Sequence, residues 1–318
     1  MSMRRPALIA LLVLAFMLSL MAGKVWIAPV DWFSATPGGW IMAELRLPRA
    51  LLGLLVGGVL GLSGAVLQGY LRNPLADPTV VGVSSSAALG GVIAILLGIS
   101  GLGLFGFAMV GAAASVLLLL ALSGREGGPL AFILAGMVLA TLSGALTALL
   151  ISLAPNPFAT SEIIAWLMGA LTDRTMDDVL HATPFMVLGA LGLLSTGRAL
   201  DALTLGEDAA RSLGINMTRL QLQVALGTGL AVGASVAVTG VVGFVGLIVP
   251  HIMRRWAGER PSRLLIPSAI GGAILTLAAD SAVRLIPGVG EVRLGIAMSA
   301  IGAPFFLLLL AKLRKGAA

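Results

Sequence analysis

The chain has 318 residues, of which 58% are hydrophobic and 11% charged, with 42 glycines, no cysteine and a formal net charge of +6. A mean hydropathy of +1.05 exceeds what the core of a water-soluble domain needs, and the apolar runs repeatedly reach the length of a bilayer crossing. This excludes an ordinary soluble fold, and the lack of cysteine excludes disulfide-stapled domains, thiol nucleophiles and cysteine metal sites.

In chain order, Arg4 and Arg5 precede an apolar run from Pro6 to about Ala22. It has the outline of a signal peptide but borders on full spanning length, so an uncleaved first span is the simpler reading. Breaks at charged and Pro/Gly-rich stretches give ten spans, near 6–28, 47–70, 80–99, 103–123, 129–153, 178–197, 217–238, 240–255, 263–286 and 292–312. The fold class is therefore all-α and polytopic, a single transmembrane domain over 1–318.

In the second span Gly53, Gly57 and Gly61 recur every four residues, a stripe of small residues that admits close helix approach. RNPLADP, which follows it, reads as a rigid turn that continues neither helix. Residues 161–178, SEIIAWLMGALTDRTMDD, are too short and interrupted for a span. Between the sixth and seventh spans, GEDAARSLGIN (206–216) concentrates Glu207, Asp208 and Arg211. A short helix from Glu207 would set Ala209, Ala210 and Leu213 on one face, with Gly214 as a left-handed cap and Asn216 capping the next span. Spacing alone favours the plainer reading, a solvated interhelical loop, which charged loops usually are.

An even number of spans puts both basic termini on one side, which should be cytoplasmic. Six basic residues, Lys24, Arg46, Arg49, Arg174, Arg284 and Arg293, then fall outside and the other 14 of the 20 inside. The positive charge is thus an orientation signal rather than a nucleic-acid surface. Asp280, in the outer part of span nine near Arg284, reads as a satisfied polar residue near a helix end, so no mid-span ion relay is marked. His181 and His251 read as structural, Ser84–Ser86 lack a partnering His or Lys, and no metal cluster is expected. With no GxxxxGK[ST] loop, the chain cannot hold ATP in the P-loop manner. It is either a passive channel or secondary transporter, or its motor is a separate polypeptide.

Four stretches in order, "RLPR…LSGAVLQG…RNPLADP…GVSSSAALG", "GEDAARSLGIN", "GFVGLIVPHIMRR" and "IGAPFFLLLL", resemble the permease family that imports ferric siderophores, haem and cobalamin, a type II ABC importer. Together they cover most of the chain from Glu44 onward. The resemblance implies a homodimer of ten-helix subunits in the bacterial inner membrane, both termini cytoplasmic, with two cytoplasmic ATPase subunits and a periplasmic substrate-binding protein. It implies that ATP and Mg belong to the ATPase, that this chain binds no cofactor, and that it is not itself an enzyme.

Residue by residue, the resemblance makes 198–216 the coupling segment, with Glu207, Asp208, Ala209, Arg211, Leu213 and Gly214 as contacts to the ATPase. Arg46, Arg49 and Arg284 match positions that dock the binding protein; Arg293 stands where relatives often show proline. Asn73 and Leu75 match the cytoplasmic gate. A short periplasmic helix is implied near 161–171, where Trp166 and Met168 either face the substrate or anchor at the membrane interface. On family frequency the cargo order is ferric siderophore, haem, cobalamin, then oxyanions.

Overall fold

The computed structural model describes residues 4–316 apart from 26, 28, 33, 35, 125–127 and 288–290, and leaves aside the side chains of 4, 5, 310 and 312–316. The inward cations Arg4, Arg5, Arg125, Lys312, Arg314 and Lys315 thus lie outside the described residues or side chains.

The described residues form helices and no strands. α1 (Arg4–Met21) is followed by α2 (Pro37–Ile41), which runs through a π-helical turn, Met42–Arg46, into α3 (Leu47–Tyr70). Then come α4 (Val83–Leu96), α5 (Gly101–Ser123), α6 (Gly128–Ser152), the short α7 (Pro157–Leu167) and α8 (Met176–Leu194). Two short helices, α9 (Gly197–Leu203) and α10 (Glu207–Ser212), lead to α11 (Met217–Thr239), α12 (Val245–Ala257), α13 (Pro261–Leu285) and α14 (Leu294–Gly316). The ten expected spans correspond to α1, α3, α4, α5, α6, α8, α11, α12, α13 and α14.

Among the described residues six helical stretches are long and apolar enough to cross a bilayer, including the continuous Pro37–Tyr70, while Pro6–Met21, Val83–Leu96 and Leu294–Leu309 are shorter apolar helices. At 1.5 Å per residue α4 rises only about 21 Å, less than a full hydrocarbon core. The eighth span is also short. α12 begins at Val245, not 240, because Gly240 (φ 70°) and Phe244 (φ 67°) break the helical path between α11 and α12.

α3 is the buried axis, packed by α13, α8, α12 and α11. Its glycine stripe explains how. A Cβ at Gly57 would overlap the Gly272 carbonyl, at Gly61 that of Ser268, and at Gly64 that of Gly246. Backbone therefore lies on backbone, which supplies dispersion contacts where no hydrophobic effect separates helix from lipid. By contrast α5 and α6 leave Leu117, Leu118, Val138 and Leu142 exposed, as helices that face acyl chains do.

Candidate functional site

α10 is built by its ends. Glu207 and Asp208 occupy its first turn and Arg211 its last, each at the pole of the helix dipole that favours it. At the far end Gly214 N donates to Arg211 O (2.9 Å) and Ile215 N to Ala210 O (3.0 Å), with Gly214 at φ 82°, the paired bonds of a Schellman stop. Asn216 then caps α11, its side chain accepting from Arg219 N at 2.9 Å. One expectation fails: Ala209, Ala210 and Leu213 do not share a face. The helix ends at Ser212, so Leu213 follows the cap geometry outward and is 63% exposed, whereas Ala210 is fully buried. Asp208, Arg211 and Gly214 are exposed with Leu213, while Glu207 and Ala209 are half-buried.

Glu207 turns toward the rest of the chain. Its Oε1 lies 3.9 Å from Arg72 Nη2, on the turn after α3. In that turn Asn73 Oδ1 accepts from Leu75 N (2.9 Å) and Asp77 Oδ1 accepts from Thr79 N (2.9 Å) and Thr79 Oγ1 (2.7 Å). These Asx-type bonds, with Arg72 left-handed at φ 48°, fix its shape. Asn73 is exposed and Leu75 half-buried; Leu75 borders a cavity of about 350 Å³ shared with Phe244 and Phe306.

Sequence reasoning missed Gln68. This buried amide donates to the carbonyls of Ala76 (3.4 Å), Gly246 (3.2 Å) and Leu247 (3.4 Å), and its Oε1 accepts from Arg254 Nη2 at 2.9 Å. It ties α3, the turn and α12 into one unit. The signal was present as the one amide in the apolar run of the second span, and it carried no partner until the fold supplied one.

The three arginines expected to dock a binding protein all find partners within their own chain. Arg46 is buried and donates to the carbonyls of Leu20 and Met21 (each 3.0 Å) and of Val25, serving the orphan carbonyls at the end of α1. Arg49 holds Asp280 through Nε and Nη2 and reaches Glu291 Oε2 at 2.8 Å. Arg284 is also buried, with Asp280 Oδ2 at 3.1 Å, Ala22 O at 3.0 Å and Ser19 Oγ at 2.8 Å. All three guanidinium groups are committed within the subunit, because two carboxylates and a helix terminus claim them. Asp280, 1% exposed, is the centre of that network.

At the same end, α7 starts at Pro157 because Asn156 caps it, accepting from Ala159 N at 2.9 Å. Of the two pathway candidates there, Trp166 lodges its ring against α4 where Gly91 lacks a Cβ, and Met168 is exposed. His251 stacks edge-on against Phe305 with centroids 5.7 Å apart. No group of three or more His, Cys, Asp or Glu side chains suited to a metal occurs among the described residues.

Two ends are therefore joined by α3. One carries α10 and the stiff turn, the other a buried ion-pair network. Residues 11–312 match the model of the FecCD transport family. The chain is similar to the vitamin B12 import system permease protein BtuC of Salmonella typhi, 38% identical over 95% of this chain and 93% of that one. The corresponding protein of Citrobacter koseri is 37% identical over 97% and 94%. A solved inward-facing structure of a metal-chelate type ABC transporter covers 96% of this chain and 98% of its own at 34% identity, with a TM-score of 0.88. The chain belongs to the FecCD transport family, as a membrane permease subunit of the ABC importer type and not itself an enzyme.

Proposed function

We propose that two copies of this chain form the pathway by which a metal chelate crosses the bacterial inner membrane, driven by two ATPase subunits docked on α10. The observation that carries the reading is α10 itself. Leu213 and Arg211 face solvent while Glu207, on the same short helix, meets Arg72 of the turn that holds Asn73 and Leu75. A push on the exposed side reaches the gate through a rigid element and a stiff turn. ATP and Mg belong to the ATPase, and a periplasmic binding protein presents the cargo at the α7 end. Both termini are then cytoplasmic.

The relatives sharpen the cargo. Vitamin B12 import is named for the permeases at 37–38% identity and metal-chelate transport for the solved structure at 34%. These support cobalamin or a metal chelate, and the order of siderophore before haem rests on family frequency alone. A channel or secondary transporter would be marked by a buried ionisable residue on a pathway helix; Asp280, the buried acid of α13, sits in an ion-pair network with Arg49 and Arg284 near the end of its helix. The test reconstitutes the chain with its ATPase and binding protein in liposomes and offers labelled cobalamin, ferric siderophore and haem. ATP-dependent uptake of one of them supports the reading. Uptake that proceeds without the ATPase contradicts it.

A further inference from the structure

α1 packs chiefly on α13, and the two helices are pinned together at one end. Arg284 of α13 donates to Ala22 O (3.0 Å) and to Ser19 Oγ (2.8 Å), while Arg46 donates to the carbonyls of Leu20 and Met21 (each 3.0 Å). Beside this seam α1 and α13 bound a groove of about 500 Å³. Leu11, Leu14 and Leu18 of α1 and Leu285 of α13 line it and are exposed, and between them Ala15, Ala278 and Ala282 contribute only methyl groups, which leaves its depth. Among the described residues no carboxylate lines it.

Setting, size and charge select the occupant. Both helices are spans of a membrane permease, so this exposed face meets acyl chains rather than water. At 1.5 Å per residue the stretch from Leu11 to Met21 rises about 15 Å, close to half of a hydrocarbon core of about 30 Å, which is the depth of one leaflet. The volume lies within the roughly 300–1,000 Å³ of sites that hold a small molecule. Charge marks one end. Gly23 lines the groove, and the guanidinium of buried Arg46 lies directly behind it, 2.7 Å from where a Cβ at Gly23 would stand. Among the described residues Arg46 donates to the carbonyls of Leu20, Met21 and Val25 and forms no ion pair. Its charge is therefore unmatched by a carboxylate, a costly state for a buried cation. Lys24, next to Gly23, is exposed and adds a second positive charge at the same end.

We propose that the groove holds one glycerophospholipid of the outer leaflet, with an acyl chain between α1 and α13 and its phosphate at Lys24, beside the Arg46 charge. The chain restores the dispersion contacts that an unfilled apolar groove forfeits, and the phosphate supplies the anion that the two cations lack within the groove. The lipid thereby braces α1 against the body of the subunit. The inference rests on the importer reading only for which leaflet supplies the lipid.

The experiment washes the purified full-length permease in detergent, measures the phospholipid phosphorus it retains, and then titrates phosphatidylethanolamine back while following the thermal midpoint. Wild type should keep one phospholipid per subunit, and added lipid should raise the midpoint, because a ligand of the folded state stabilises it. Ala278→Phe/Ala282→Phe, at exposed positions, fills the groove with the protein's own rings. It should keep no lipid, gain nothing from the titration and unfold no lower than washed wild type. Should the double variant not fold, Ala282→Leu carries the same comparison. Ala145→Phe, exposed on α6 away from the groove, should behave as wild type. Lys24→Gln should need about five-fold more lipid for the same stabilisation, as loss of one basic contact to lipid does. Equal lipid retention in wild type and the groove-filled variant overturns the proposal, as does a wild-type midpoint that lipid leaves unmoved or a lipid requirement unchanged in Lys24→Gln. Since the chain has no cysteine, Leu14→Cys reports on a second copy, and a disulfide between two subunits would put protein where the lipid is placed. None of these readouts involves transport, so a failure of the importer reading shows separately, as uptake that needs no ATPase.

Discussion

Glu207 Oε1 stands 3.9 Å from Arg72 Nη2, so α10 and the turn at the end of α3 meet through opposite charges. Arg72 is exposed and Glu207 half-buried, and a pair so open to solvent contributes only about 0–1 kcal/mol to stability. Its value is directional. Arg72 is the residue before Asn73, and any displacement of α10 changes the field at the turn that holds Leu75.

That turn is secured from the other side by Gln68. Gln68→Leu keeps the bulk but strips four hydrogen bonds from a buried site, leaving the carbonyls of Gly246 and Leu247 and the Arg254 guanidinium to find other partners. Unsatisfied buried groups cost about 1–3 kcal/mol. The thermal midpoint of the detergent-purified protein should fall, and protease cleavage within 72–77 should quicken. An unchanged cleavage rate would show that the turn holds itself.

The glycine stripe makes a sharper contrast. Gly57→Ala puts a methyl on the Gly272 carbonyl of α13, whereas a Cβ at Gly58, one residue on, meets Ala269 O at an ordinary 3.7 Å. Overpacking costs about 1–3 kcal/mol, so Gly57→Ala should lower the unfolding temperature and Gly58→Ala should not. Equal effects of the two would mean that α3 and α13 approach less closely.

In the buried ion-pair network Asp280 answers Arg49 and Arg284 at once, and Glu291, among the described residues, pairs with Arg49 alone. Breaking a buried pair by removing one partner costs about 3–5 kcal/mol. Asp280→Asn should therefore be much more destabilising than Glu291→Gln, measured by thermal unfolding of both variants side by side.

On α9, Asp201 carries a pH signature. Burial raises its pKa, but hydrogen bonds from Ser262 and from Arg260, with the latter's charge, outweigh this and hold the carboxyl below the usual carboxylate range. A value depressed by folding contributes stability above the unfolded pKa of about 3.9 and loses it as pH falls through the folded value. Asp201→Asn should be less stable than wild type at pH 7, and the difference should shrink toward pH 3. A pH-independent difference would contradict the pairing.

Much of this architecture was legible in residue order. Apolar runs located the ten principal helices, and turn chemistry located the stop at Gly214 and the cap at Asn216, since both follow from local geometry. Packing was not legible. Nothing near Arg46 or Arg284 in sequence reveals that they would end up serving carbonyls of α1, more than twenty and two hundred residues away respectively. The face of α10 was misjudged for a related reason: a 3.6-residue period was applied to Leu213, which lies just past the helix it was assigned to. Gln68 was visible as a polar residue in an apolar run, but its partners come from two other segments, the turn and α12.

The most direct test of the account is ATP-driven uptake by the reconstituted importer carrying Arg211→Glu and Leu213→Asp, with ATP hydrolysis followed in the same liposomes. Both side chains are exposed, so the subunit should fold and dimerise as before. The account predicts that uptake, and the stimulation of hydrolysis by loaded binding protein, are lost together. Normal uptake by this variant would contradict it and leave α10 as a loop between two spans.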